Sequence, residues 1–157
     1  VWTPITMTLQ PAVPQWDKEI WINQQGPHSV DAGPFDVVAG DRVTIIDHVH
    51  ITAAMPVRYT LAEAWAPPLS LSAWSVSGGT VLTTTETLTW HGWNVTPNTT
   101  HMVTKTLVVG EGDWDASTVT ETLMVAQADP TTHQHVLAFE RGQRRVFLPL
   151  VTRNYGP

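Results

Sequence analysis

Residues Arg42 to Thr52 read RVTIIDHVHIT. Val43, Ile45, Val49 and Ile51 fall at alternate positions, opposite Thr44, His48 and His50, the period-two pattern of a strand with one buried face. Asp47 shares the parity of the apolar set, so a bulge or a polar partner must meet it inside. The same alternation recurs in LTTTETLTW (Leu82–Trp90), HMVTKTLVV (His101–Val109) and TVTETLMV (Thr118–Val125). These segments predict a core containing Val43, Ile45, Val49, Ile51, Leu88, Trp90, Leu107, Val109, Leu123 and Val125.

Turn chemistry separates them. Ala39-Gly40-Asp41 opens the long strand, Ser77-Gly78-Gly79 ends another, and Pro67-Pro68 closes LAEAW (Leu61–Trp65), the only stretch with helix-former composition. Thr occurs 23 times, which suits pleated surfaces rather than helices. The reading is all-β: an antiparallel, immunoglobulin-like sandwich of about 7–10 strands. A chain of 157 residues makes one domain. Within it, residues 1–15 form an N-terminal strand and the linker PAVPQ, 16–140 the sandwich, and 141–157 a basic, apolar terminal strand.

Charge sharpens that division. The net −6 splits into −10 over residues 1–140 and +4 over 141–157, where Arg141, Arg144, Arg145 and Arg153 face no acid. Tail and body should attract each other, within or between chains. So acidic a body excludes nucleic acid as a partner. With no cysteine, neither a disulfide framework nor a thiolate metal site is available. No apolar run reaches the ~18 residues of a membrane span. The start at Val1, without Met or a basic leader, fits a mature form after signal removal or a trimmed chain.

The segments AGDRVTIIDHVHI, AWAPPLSLSAWSVSGGTV, TLTWHGWNVTPNTTHMVTKTLVV and TVTETLMV together resemble the conserved-repeat immunoglobulin-like domains of bacterial secreted and cell-surface proteins, over residues 36–126. In that family a Gly-Asp turn opens a long strand, a Pro precedes the next, and a Trp ends a third. The chain departs from it at Thr52-Ala53-Ala54, in place of Asn-x-Gly, and at Glu63 to Pro67, in place of Asp-Thr-Leu-Pro. The Leu-Pro-containing end VFLPLVTRN looks like the C-terminus of many secreted proteins of filamentous bacteria. The resemblance implies an extracellular or cell-surface location and a fold that hosts many functions.

Several residue groups bear on function. In the tail, Val146, Leu148 and Leu150 face one way and Phe147, Pro149 and Val151 the other, over about 20–25 Å. A strand apolar on both faces needs a groove, in its own sandwich or in a neighbour's by strand addition. Ile5, Met7 and Leu9 alternate likewise and make a second such strand. Of eight Trp residues, Trp74 and Trp90 sit at strand positions that suit the core. Trp93 and Trp114, beside loops, suit a protein interface or a sugar. Asn94 and Asn98 begin glycosylation sequons. Glu111, Asp113 and Asp115 offer calcium its preferred oxygens, although an acidic turn is the simpler account. His48 with His50, and His133 with His135, each share a face and would need a third ligand such as Asp47 or Glu86, but Asp47 points to the opposite face of its strand from His48 and His50. A solvated polar face explains them as well. No nucleophile elbow, reactive Cys or phosphate cradle is present, so the chain is not read as an enzyme and no cofactor is expected.

These readings lead to an extracellular structural subunit that assembles with copies of itself into a filament or surface layer through a terminal strand. The alternative is a secreted carbohydrate-binding or adhesion module that uses exposed Trp residues.

Overall fold

A computed structural model describes residues 10–142, apart from the Asn94 side chain. The strands are β1 (Val13–Ile22), β2 (Gln25–His28), β3 (Phe35–Val37), β4 (Arg42–Thr52), β5 (Val57–Trp65), β6 (Leu69–Val76), β7 (Thr80–Thr83), β8 (Thr87–Val95), β9 (Thr100–Val109), β10 (Ala116–Val125) and β11 (Thr132–Arg141). One sheet has the order β2-β1-β4-β9-β6 and the other β3-β11-β10-β5-β8-β7. The pairing is antiparallel except for the three-residue β3 beside β11, which is parallel. The two inner faces close on each other as an immunoglobulin-like sandwich. The eleven strands include β2, β3 and β7, pieces of three or four residues at sheet edges.

The ten expected core residues are all buried. Tyr59 packs edge-on to Trp90, ring centroids 5.0 Å apart, and Trp90 Nε1 donates to Gly78 O at 2.6 Å. Gly79 has φ +82°, and a Cβ there would meet His91 O at 2.5 Å, so only glycine fits.

Two local features yield to tertiary context. LAEAW, despite its helix-former composition, belongs to strand β5, because Tyr59, Leu61 and Trp65 bury one face between β8 and β10, and burial outweighs a few tenths of a kcal/mol of propensity. The expected linker at 11–15 is largely strand: Pro14 and Gln15 pair with Ile51 and His50. Proline is tolerated there because β2 pairs only with the far end of β1, Ile20 to Ile22, which leaves Pro14 on an edge. The tail residues Arg144, Arg145, Val146, Phe147, Leu148, Pro149, Leu150, Val151 and Arg153, and Ile5, Met7 and Leu9 at the other end, lie outside the described residues.

Candidate functional site

Four strands each place a charge where alternation calls for an apolar side chain. On β4, Asp47 stands between Val43, Ile45, Val49 and Ile51; on β9, Lys105 between Val103, Leu107 and Val109; on β10, Glu121 between Val119, Leu123 and Val125; on β5, Glu63 between Leu61 and Trp65. Register then assembles them. Lys18 on β1 lies directly opposite Asp47, and Lys105, opposite Ile45, is two residues on from Asp47's own partner Val103. In the other sheet Glu121 lies directly opposite Glu63. Like charges facing each other on neighbouring strands destabilise a sheet unless something neutralises them. Here it is the ammonium of Lys105, reaching across from the first sheet.

Lys105 Nζ lies 2.8 Å from Asp47 Oδ2, 2.7 Å from Glu121 Oε1 and 2.8 Å from Glu63 Oε2. Lys18 Nζ lies 2.5 Å from Asp47 Oδ1 and 2.7 Å from Glu121 Oε2, and 3.8 Å from the centre of the Trp16 ring. Trp16 Nε1 donates to Asp47 Oδ1 at 2.8 Å. Asp47 is thus held at both oxygens by three donors. Glu63 is the contrast: its contact with Lys105 falls outside hydrogen-bond geometry, and its Oε1 has no partner. The side chains of both lysines and all three acids are at most 1 % exposed. Lys18 and Lys105 are also the only two lysines in the chain, so no lysine is at the described surface.

Burial works against every charge in this cluster. At Asp47 the ammoniums of Lys105 and Lys18 outweigh it and hold the carboxyl well below the usual carboxylate range. Burial pushes Glu63 up to about 8, against Lys105 and with the help of Asp47 and Glu121, so it keeps its proton at neutral pH. Lys105 is lowered by burial but carried well above its ordinary value by Asp47, Glu63 and Glu121. Two ammoniums against three carboxylates would leave one uncompensated negative charge in a dry core. The proton on Glu63 removes it.

A side wall closes the cluster where β1 meets β11. Trp16 stacks on His135, ring centroids 4.3 Å apart at 12°. Burial lowers the His135 pKa, with Lys18 adding to the effect, so a neutral ring covers the cations. His135 Nδ1 and His133 Nε2 are buried without partners.

Sequence reasoning placed Asp47 inside and required a polar partner; the partners are Trp16, Lys18 and Lys105, and the strand stays regular. It missed the other four members. Among the described residues, Asp47, Glu63 and Glu121 are the only metal-type group whose ligand atoms converge, within 4.8 Å of one another, and the cation at their centre is Lys105 Nζ. Among the described residues neither histidine pair converges with a third ligand: His48 Nε2 meets Glu19 Oε1 at 3.2 Å and His50 Nδ1 meets Thr100 Oγ1 at 3.2 Å. Glu111, Asp113 and Asp115 do not converge; Arg141 Nη1 binds Asp113 Oδ1 at 2.9 Å and Arg141 N donates to Asp115 O at 3.1 Å.

Of the tryptophans, Trp93 is 57 % exposed with the Arg58 guanidinium 4.4 Å over its ring. Trp114 instead packs partly buried against the core. Trp74 is not core: it is 46 % exposed on edge strand β6, beyond a register shift between Leu71 and Ala73. Asn98 is exposed at φ +60°; Asn94 lies on β8 with its side chain outside the described residues.

No family model and no curated protein matches the chain. Solved structures do resemble it in fold. The pilus backbone RrgB of Streptococcus pneumoniae aligns over 72 % of this chain and 32 % of that one, at 14 % identity and TM-score 0.53. The C-terminal domain of the AgI/II polypeptide BspA of Streptococcus agalactiae aligns over 81 % and 50 %, at 11 % identity and TM-score 0.54. The chain therefore spans about a third of the first of these structures and half of the second, and what it shares with them is the fold.

Proposed function

We propose that this chain is a non-enzymatic structural or adhesive module of a bacterial cell surface, secreted and built to hold its shape under load. The observation that carries this reading is the buried Lys-Asp-Glu cluster, which ties β1, β4 and β9 of one sheet to β5 and β10 of the other. Nothing in it is open to a substrate. A chain without cysteine has to gain cohesion between its sheets in some other way, and ionic groups that a core normally excludes do that here. The likeness in fold to pilus and surface-polypeptide domains supports the same reading.

The finer proposal is self-assembly by strand addition. Edge strand β6 reads LSLSAWSV over eight residues and carries no charge, although natural edges are ordinarily guarded by Lys, Glu or Pro. The six-residue apolar stretch Val146 to Val151, flanked by arginines, matches such an edge in length and complements an acidic body in charge. Deleting residues 144–157 should leave a folded chain that no longer forms polymers visible by electron microscopy. A truncated chain that polymerises like the intact one overturns the assembly reading.

Trp93, exposed beneath Arg58, favours a second reading as a carbohydrate or adhesion platform. Quenching of tryptophan fluorescence by oligosaccharides, lost in Trp93→Ala, would support it. Unchanged fluorescence across a glycan panel would remove it.

A further inference from the structure

We propose that Lys105 Nζ condenses with the side-chain carboxyl of Glu63, closing an amide that joins β9 of one sheet to β5 of the other, with Asp47 and Glu121 handling the protons. The inference does not depend on whether the chain assembles or binds glycans.

Geometry selects the pair. Among the described residues Lys105 is the only cation in contact with Glu63, at 2.8 Å, whereas Lys18 reaches the carboxylates of Asp47 and Glu121. Asp47 is fixed as an anion by three donors, and each Glu121 oxygen meets a different lysine. Within the cluster only Glu63 Oε1 meets neither a hydrogen-bond donor nor an ammonium; Glu63 Oε2 touches Lys105, as Glu121 Oε2 touches Lys18, outside hydrogen-bond geometry. A buried carboxyl with an unsatisfied oxygen carries a penalty that conversion to an amide lessens, since one oxygen leaves. Burial also keeps Glu63 in its acid form, and the acid, unlike the carboxylate, can be attacked at carbon.

The steps balance without a redox partner. The Lys105 ammonium passes one proton to Asp47 or Glu121, at 2.8 and 2.7 Å. In a dry core of low dielectric the neutral amine–acid pair so formed is disfavoured far less than in water. The nitrogen lone pair attacks Glu63 Cδ and a C–N bond forms. A second proton leaves the nitrogen for the hydroxyl, the C–O bond breaks, and water departs. Lys18 remains an ammonium, and Asp47 and Glu121 together hold one extra proton, so the cluster is neutral before and after. Because Lys105 rests as the ammonium, closure is slow and needs the folded arrangement that brings the groups together.

The test is the intact mass of the full-length chain, unfolded in denaturant before measurement. Closure lowers it by about 18 Da, one water. Trypsin then fails to cut after Lys105, so the expected fragment is 59–141, and a glutamyl protease cutting after Glu86 leaves two peptides still joined. Lysine-directed acylation in denaturant modifies one lysine, not two. Lys105→Arg, which keeps the charge, should restore the full mass, and Lys18→Arg should keep the loss. Full sequence mass with both lysines acylated overturns the proposal. So does a loss that persists in Lys105→Arg or vanishes in Lys18→Arg, because the bond would then lie elsewhere.

Discussion

Two neighbourhoods of the same interior are held together by different physics. Around Trp90, Tyr59, Leu61 and Ile51 the sheets meet through apolar side chains, and each contact contributes on its own. A few residues along the same strands, Asp47, Glu63, Lys105 and Glu121 with Lys18 form a unit in which no charge is tolerable without the others. The apolar region can lose atoms gradually. The ionic region cannot, because removing one member leaves its partner charged and unpaired in a medium that does not solvate it.

The largest expected effect follows from that difference. Lys105→Met, which leaves Asp47 and Glu121 to share Lys18 alone and Glu63 with no cation among the described residues, should lower unfolding free energy in urea by about 3–5 kcal/mol or prevent folding. Replacing all five members by apolar residues of similar volume should cost far less than the sum of the single changes. Additive single and multiple variants would show that the cluster is not a unit.

In the apolar region, Leu61→Ala should cost about 3 kcal/mol through lost burial and a cavity. A loss well under about 1 kcal/mol in the same urea titration would mean that this part of the interior relaxes freely.

Proton linkage separates the two neighbourhoods again. While Glu63 remains a free acid, its pKa of about 8, against an ordinary 4.5, means that the folded chain keeps a proton the unfolded chain has lost. Stability should therefore fall as pH rises from about 4.5 to 8, by at most about 1.4 kcal/mol per unit. Asp47, held low, works in the opposite sense: its contribution is present above its unfolded value of about 4 and is lost as acid protonates it. Glu63→Gln should flatten the upper limb of the curve. A chain 18 Da light should show the same flattening, since an amide does not titrate in this range.

Surface changes should be smallest. Trp93→Ala should shift stability by less than about 0.5 kcal/mol in thermal unfolding. A chelator should leave the melting temperature where it was, because a guanidinium already occupies Asp113. A drop would place calcium among Glu111, Asp113 and Asp115 after all.

Much of the fold was legible because alternation is a local property. RVTIIDHVHIT and HMVTKTLVV each declare one buried face, and all ten residues expected inside are there. Trp74 misled because a shifted register on an edge strand is not encoded in a period of two.

The cluster was legible only in pieces. Asp47 announced itself as a charge at an inward position, and Lys105 and Glu121 break the same rule in their strands, as a parity count along HMVTKTLVV and TVTETLMV could have shown. The sequence by itself thus determined which faces turn inward and that several of them carry charge, because side-chain direction follows from strand periodicity alone. Only the tertiary structure decided that these charges meet: the register sets Glu121 opposite Glu63 and Lys18 opposite Asp47, and the stacking of the two sheets drops Lys105 between them. Pairing across residues 18 to 121 is a property of the assembled interior, where distance, not order along the chain, fixes electrostatic energy.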